Sequence, residues 1–105
     1  MQILAPEYVR KDSRGKLTQV TTQTFKQLNI LEIKKDSSFG GHYHKHKTEI
    51  FYVVRGCVQL NGVHIFVEGT CFMIEPFDKH NIVALEDSIL AETLSEKYSE
   101  EDVYE

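Results

Sequence analysis

Three of the chain's five histidines fall at alternate positions, His42, His44 and His46, and a glutamate, Glu49, follows close behind. In an extended chain side chains alternate in direction, so histidines two apart project to one side. Two imidazoles so placed can chelate a single ion. A carboxylate beside them completes a set that leaves positions open for water or substrate. Glu49 has the opposite parity to His42, so the chain must bend or bulge around Lys47-Thr48 to bring its carboxylate to the same side. A further ligand has to come from another strand, and His80, beyond the loop that holds Pro76, is the candidate. The expected metal ligands are therefore His42, His44, Glu49 and His80. Their donors suit one divalent transition metal ion, such as zinc, manganese, iron or nickel, without selecting among them. His64, beside a turn, reads as a surface residue. The bland alternative is a solvated histidine loop flanked by Lys45 and Lys47. It would fit a lone histidine better than this cluster.

An ion held this way would polarise a carbonyl, hydroxyl or carboxylate oxygen of a small polar metabolite. That favours enolisation, and hence isomerisation or epimerisation; with iron, the same site can activate oxygen. His46 is then spare and is a candidate general base. Tyr52, like Tyr43, can supply a hydroxyl, although aromatic residues in strands usually fill the core. Lys45, Lys47 and Arg55 read as solvated charges, with an anionic substrate as the other possibility. Two further classes compete with a metal enzyme: a ligand-binding or sensing protein without turnover, and a domain whose metal only stabilises the fold. A deep polar cavity with another titratable group near the metal would favour catalysis. A shallow or apolar one would favour binding.

The elements that must position these residues read as strands. Apolar, β-branched runs cover 18–22, 25–33, 49–55, 57–60, 63–67, 70–74, 81–85 and 88–94. Asn61-Gly62 between two such runs is a strong hairpin signal, because both central residues of a type I′ turn need positive φ. No stretch carries a long helical period, so an antiparallel sandwich or barrel is expected. The segment 95–105 is acidic and polar and reads as a short helix or a frayed end.

The run His42-Tyr-His44, four residues, Glu49, six residues, Gly56 resembles the first motif of the cupin superfamily. The stretch from Gly69 through Pro76 to His80 resembles its second motif more loosely, with Asp78 where glycine is usual. The resemblance implies an all-β, antiparallel jelly-roll barrel spanning 1–105 as a single domain, with a short N-terminal extension and an acidic C-terminal tail. It also implies a metal on His42, His44, Glu49 and His80. Upstream, Asp12-Ser-Arg14-Gly15-Lys-Leu17 resembles a segment of cupins that act on nucleotide-linked sugars. The ketoisomerases among them work without metal and typically lack the glutamate, which would leave a histidine as base.

With 41% hydrophobic and 27% charged residues, the 105-residue chain has the composition of one ordinary globular domain and not of a disordered one. Its net charge of -4 gives no support to nucleic-acid binding, which usually shows as a basic excess. No apolar run reaches the roughly 20 residues that span a bilayer, and the N-terminus lacks a signal-peptide pattern. A cytoplasmic protein without membrane or nucleic-acid partners is expected. Cys57 and Cys71 lie in apolar runs and read as buried reduced thiols. Strand edges need covering, so a homodimer is expected, with residues before Thr18 reaching a neighbour.

Overall fold

Inward-facing apolar side chains recur at every second residue along the strands, and the chain buries them between two antiparallel sheets. The computed structural model describes all residues, Met1–Glu105. Its strands are β1 (Gln2–Leu4), β2 (Tyr8–Asp12), β3 (Gly15–Gln19), β4 (Gln27–Ile33), β5 (Ser38–His42), β6 (Glu49–Arg55), β7 (Cys57–Leu60), β8 (His64–Val67), β9 (Cys71–Ile74), β10 (His80–Ala84) and β11 (Ser88–Leu94), followed by a 3-10 turn at Glu100–Asp102. One sheet has the order β1-β9-β6-β11-β4 and the other β5-β10-β7-β8. This is the antiparallel jelly roll expected from the sequence. The hairpin β2–β3 forms a sheet of its own.

Burial on β11 alternates strictly, with Ser88, Leu90, Glu92 and Leu94 facing in. β4 repeats the pattern with Gln27, Asn29, Leu31 and Ile33, which leaves Leu28 and Ile30 exposed on the outer face. Between the sheets, Phe51, Phe66 and Phe72 join Val53, Leu60 and Leu90 in a single cluster. The ring centroids of Phe66 and Phe72 are 4.7 Å apart, and those of Phe51 and Phe72 are 5.0 Å apart.

Asn61 and Gly62 both have positive φ, 54° and 68°, and Val63 N–H donates to the Leu60 carbonyl. The Asn-Gly turn thus forms as its residues require. The segment Asp12–Gly15 is the tip of the β2–β3 hairpin. There the Arg14 backbone N–H and guanidinium both donate to the Asp12 carboxylate. The short helix expected in the tail is a single 3-10 turn at Glu100–Asp102, capped by Ser99, and the tail is not frayed. After the 3-10 turn, Tyr104 pairs with Tyr43 through two backbone hydrogen bonds, which straps the C-terminal segment to the chain beyond β5. No helix is long and apolar enough to cross a membrane.

Candidate metal centre

His42 and His80 end and begin their strands as direct partners across the β5–β10 pair, with a register irregularity just after His80. Gly40 makes their close approach possible: its φ is +105°, and a Cβ there would sit 2.5 Å from the His80 carbonyl oxygen. After His42 the chain leaves the sheet, bends at Lys45-His46 and re-enters as β6 at Glu49. The expected bend is therefore present, two residues earlier than Lys47-Thr48. Buried Lys47 and Glu49 take the parity of buried Phe51 and Val53, and both line the cavity.

The ligating atoms of His42, His44 and His80 lie within 4.8 Å of one another. Glu49 Oε1 stands 2.8 Å from His44 Nε2 and 3.6 Å from His80 Nε2. The shorter approach is not aligned as a hydrogen bond, and this buried oxygen has no hydrogen-bond partner. The far sides of both rings explain why. His44 Nδ1 is 2.6 Å from the Asp102 carbonyl oxygen, and His80 Nδ1 is 3.0 Å from that of Asp78. A carbonyl only accepts, so Nδ1 carries the hydrogen on each ring and each Nε2 holds a lone pair. Two imidazole lone pairs and a carboxylate oxygen therefore converge with no donor among them. Such a group is stable only with a proton or a cation at its centre.

The electrostatics agree. Burial pushes the Glu49 carboxyl up to about 9, reinforced by a hydrogen-bonding approach from Glu92 and by its charge, and opposed by Lys47. Burial is also the main reason that His42, His44 and His80 lie below the usual imidazole value, so all three stay neutral and available as ligands. Of the four residues expected from the sequence, His42, His44 and His80 bring their ligating atoms together and Glu49 Oε1 stands beside two of those rings, a donor set that suits a divalent ion.

The candidate catalytic residues fare differently. His46 is exposed and lies outside this cavity; its backbone N–H donates to Asp102 Oδ2. The alternation that would have placed it beside His44 ends where the chain bends. Tyr52 has the opposite parity to inward-facing Phe51 and Val53 and pairs between Cys71 and Ala91 on the outer side of its sheet. Neither residue lines the cavity, so the expectation that they act there is corrected. His64 is exposed, as expected, and neither cysteine reaches the cavity.

The cavity, of about 260 Å³, holds several groups that the motifs did not reveal: Glu92, Asn29, Gln27, Lys47 and Tyr98. Asn29 Nδ2 donates to Glu92 Oε1 at 3.0 Å. A signal for two of them was present. In Ser-Ile-Leu-Ala-Glu-Thr-Leu, Glu92 falls on the same parity as Leu90 and Leu94, and Asn29 shares the parity of Leu31 and Ile33. A polar residue on the inward phase of a strand marks a break in the core. Asp102 carried no local signal.

The sequence profile described as polysaccharide biosynthesis C-terminal domain matches residues 10–87. No curated protein matches the chain. Among solved structures, the chain resembles a variant of the sugar 3,4-ketoisomerase from Thermoanaerobacterium thermosaccharolyticum in complex with TDP-4-keto-6-deoxyglucose. Identity is 19%, the TM-score is 0.81, and the match covers 97% of this chain and 86% of that one. It also resembles a 3,4-ketoisomerase from Helicobacter canadensis, with 19% identity, a TM-score of 0.80 and coverage of 97% and 87%. The third likeness is to a dTDP-4-dehydrorhamnose 3,5-epimerase from Sulfolobus tokodaii, with 21% identity, a TM-score of 0.75 and coverage of 90% and 70%. At these identities the likeness is one of fold.

Proposed function

The chain belongs to the polysaccharide biosynthesis C-terminal domain family, and from that premise we propose that it moves a proton beside the carbonyl of a nucleotide-linked keto sugar, at a divalent metal ion held by His42, His44, Glu49 and His80. The observation that carries this reading is the buried convergence of Glu49 Oε1 with the Nε2 lone pairs of His44 and His80, which needs a proton or a cation at its centre. A bound ion would supply Lewis-acid polarisation of a ligand oxygen. The protein's own groups orient the ligand and keep water out. Asn29 and Gln27 offer amides to sugar hydroxyls, Phe39 and Leu31 give the ring an apolar wall, and Glu92 stands against Glu49 as a second carboxyl in the cavity. The lining of the cavity is mostly apolar, and what supports turnover over mere binding is the second titratable carboxyl, Glu92, beside Glu49.

Elemental analysis of the purified protein tests the metal. Near-stoichiometric zinc, manganese, iron or nickel is expected in the wild type, and Glu49→Ala and His44→Ala should both lose it. Proton transfer is tested by following TDP-4-keto-6-deoxyglucose in D₂O by NMR. Deuterium should appear at a carbon next to the keto group with wild type and not with His44→Ala. Incorporation with no metal in the protein would favour a second reading, a metal-free isomerase with a histidine base. That reading is supported by the fold shared with the 3,4-ketoisomerases and by the position of His42, the least buried of the three imidazoles, on the cavity wall.

A homodimer is part of the proposal. Exposed Leu28 and Ile30 on the outer face of β4, and a β2–β3 hairpin that is exposed along nearly its whole length, offer surface to a second copy. Sedimentation should give twice the 12.2 kDa chain mass, and Ile30→Asp should shift the protein towards monomer. A wild-type monomer at micromolar concentration would refute this part.

A further inference from the structure

Deepening the sugar-nucleotide reading, on which it rests, we propose that Lys47 is a substrate-contacting residue that makes the cavity selective for a sugar bearing a keto or carboxylate oxygen. Lys47 is 3% exposed, an unusual burial for a lysine. Its ammonium has no carboxylate oxygen within 4.0 Å and donates no side-chain hydrogen bond within the protein. It lies over the Tyr98 ring, 4.9 Å from the centroid, and the residue lines the cavity beside His42, His44 and Glu49. Of the nearby carboxyl oxygens, Glu92 Oε1 accepts from Asn29, and Glu49 Oε1 is turned to the histidines.

The side chain is buried along its length and the ammonium keeps only a small opening to solvent, so an acceptor placed in the cavity would gain donors that the protein leaves unfilled. An ammonium has three donors and no acceptor. A keto or carboxylate oxygen therefore suits it better than a hydroxyl, whose own proton also needs a partner. Size decides which part of the ligand Lys47 meets. At about 260 Å³ the cavity is below the roughly 300–1,000 Å³ of drug-sized sites. It has room for a sugar ring but not for the attached nucleoside diphosphate, so the group facing Lys47 belongs to the sugar.

The test is calorimetric binding of TDP-4-keto-6-deoxyglucose and of its reduced counterpart, TDP-6-deoxyglucose, to wild type and Lys47→Met, with metal content measured on both proteins. Wild type should prefer the keto sugar. Lys47→Met should lose about 10–100-fold of keto-sugar affinity, lose far less for the reduced sugar, and keep its metal. Tyr98→Leu, at the half-exposed rim where folding is not at stake, should weaken keto-sugar binding by a few-fold through loss of the ring under the ammonium. Unchanged binding in Lys47→Met, an equal loss for both sugars, or loss of the metal would each overturn the proposal while leaving the sugar-nucleotide reading intact. A wild type that binds neither nucleotide would overturn that reading and this proposal with it.

Discussion

Along β6 the inward side chains change character within a few residues. Glu49, with Lys47 just before the strand, faces the cavity mouth, whereas Phe51 and Val53 face the closed floor. β4 makes the same passage, from Gln27 and Asn29 to Leu31 and Ile33, and β10 from His80 to Ile82 and Ala84. The two ends of one barrel therefore obey opposite rules. At the floor every inward group is apolar or, like Ser88, hydrogen-bonded to backbone. Gly56 is needed there because its φ is +98° and a Cβ would sit 2.3 Å from Ser88 Oγ. At the mouth, polar groups are buried without full satisfaction. Stability is built at one end and given up at the other, where ligand chemistry requires unfilled donors and acceptors.

Four measurements break or sharpen this contrast. The largest effect is expected at the floor. Phe72→Ala should cost about 3–5 kcal/mol of stability, read from urea midpoints. The protein that remains folded should still take up metal, because no mouth residue has moved. Loss of metal in the folded fraction would show that the two ends are not separable.

The next effect belongs to the strap. Deleting residues 99–105 removes the Asp102 carbonyl that orients His44, together with the carboxylate that accepts from the backbone N–H groups of Lys45 and His46. Metal affinity should fall by about 10–100-fold, while the thermal midpoint moves little, since the core cluster contains none of these residues. Unchanged affinity would mean that the ring is held by packing alone.

A smaller effect is a pH slope confined to the mouth. In metal-free protein the folded Glu49 carboxyl keeps its proton up to about 9, whereas the unfolded chain releases it near 4.5. The unfolded state thus binds fewer protons in between, and stability should fall as pH rises through that interval. The buried histidines, held below 6.5, pull the other way only at and below that pH. The clean window is therefore pH 7 to 9. Urea midpoints of metal-free wild type should decline across it, and Glu49→Gln or saturating divalent ion should flatten the decline. A flat wild-type profile would show that Glu49 is already ionised.

The smallest effect is the control. Lys26 and Glu96 form a 2.7 Å ion pair with both side chains more than half exposed. Lys26→Ala should change stability by well under about 1 kcal/mol and leave metal uptake as it was, because the pair belongs to neither end.

The spacing of His42, His44 and Glu49, and the placing of His80 after a proline loop, were enough to single out the side chains that the fold brings near one another, because strand parity is a local rule. The Asn61-Gly62 turn and the strand pattern over 49–94 were readable for the same reason: alternation and positive-φ turns act over two to four residues. The tertiary structure alone decided the rest. His46 left the cavity because a bend at Lys45-His46 ended the alternation. Lys47, which reads as a solvated charge beside a turn, was drawn inside by the same bend. Asp102 reached His44 across 58 residues of chain, a contact that depends on how the tail crosses the barrel and on no local preference. The sequence by itself singled out the histidines and the glutamate. The fold determined which side of each ring faces them, and which cation shares their cavity.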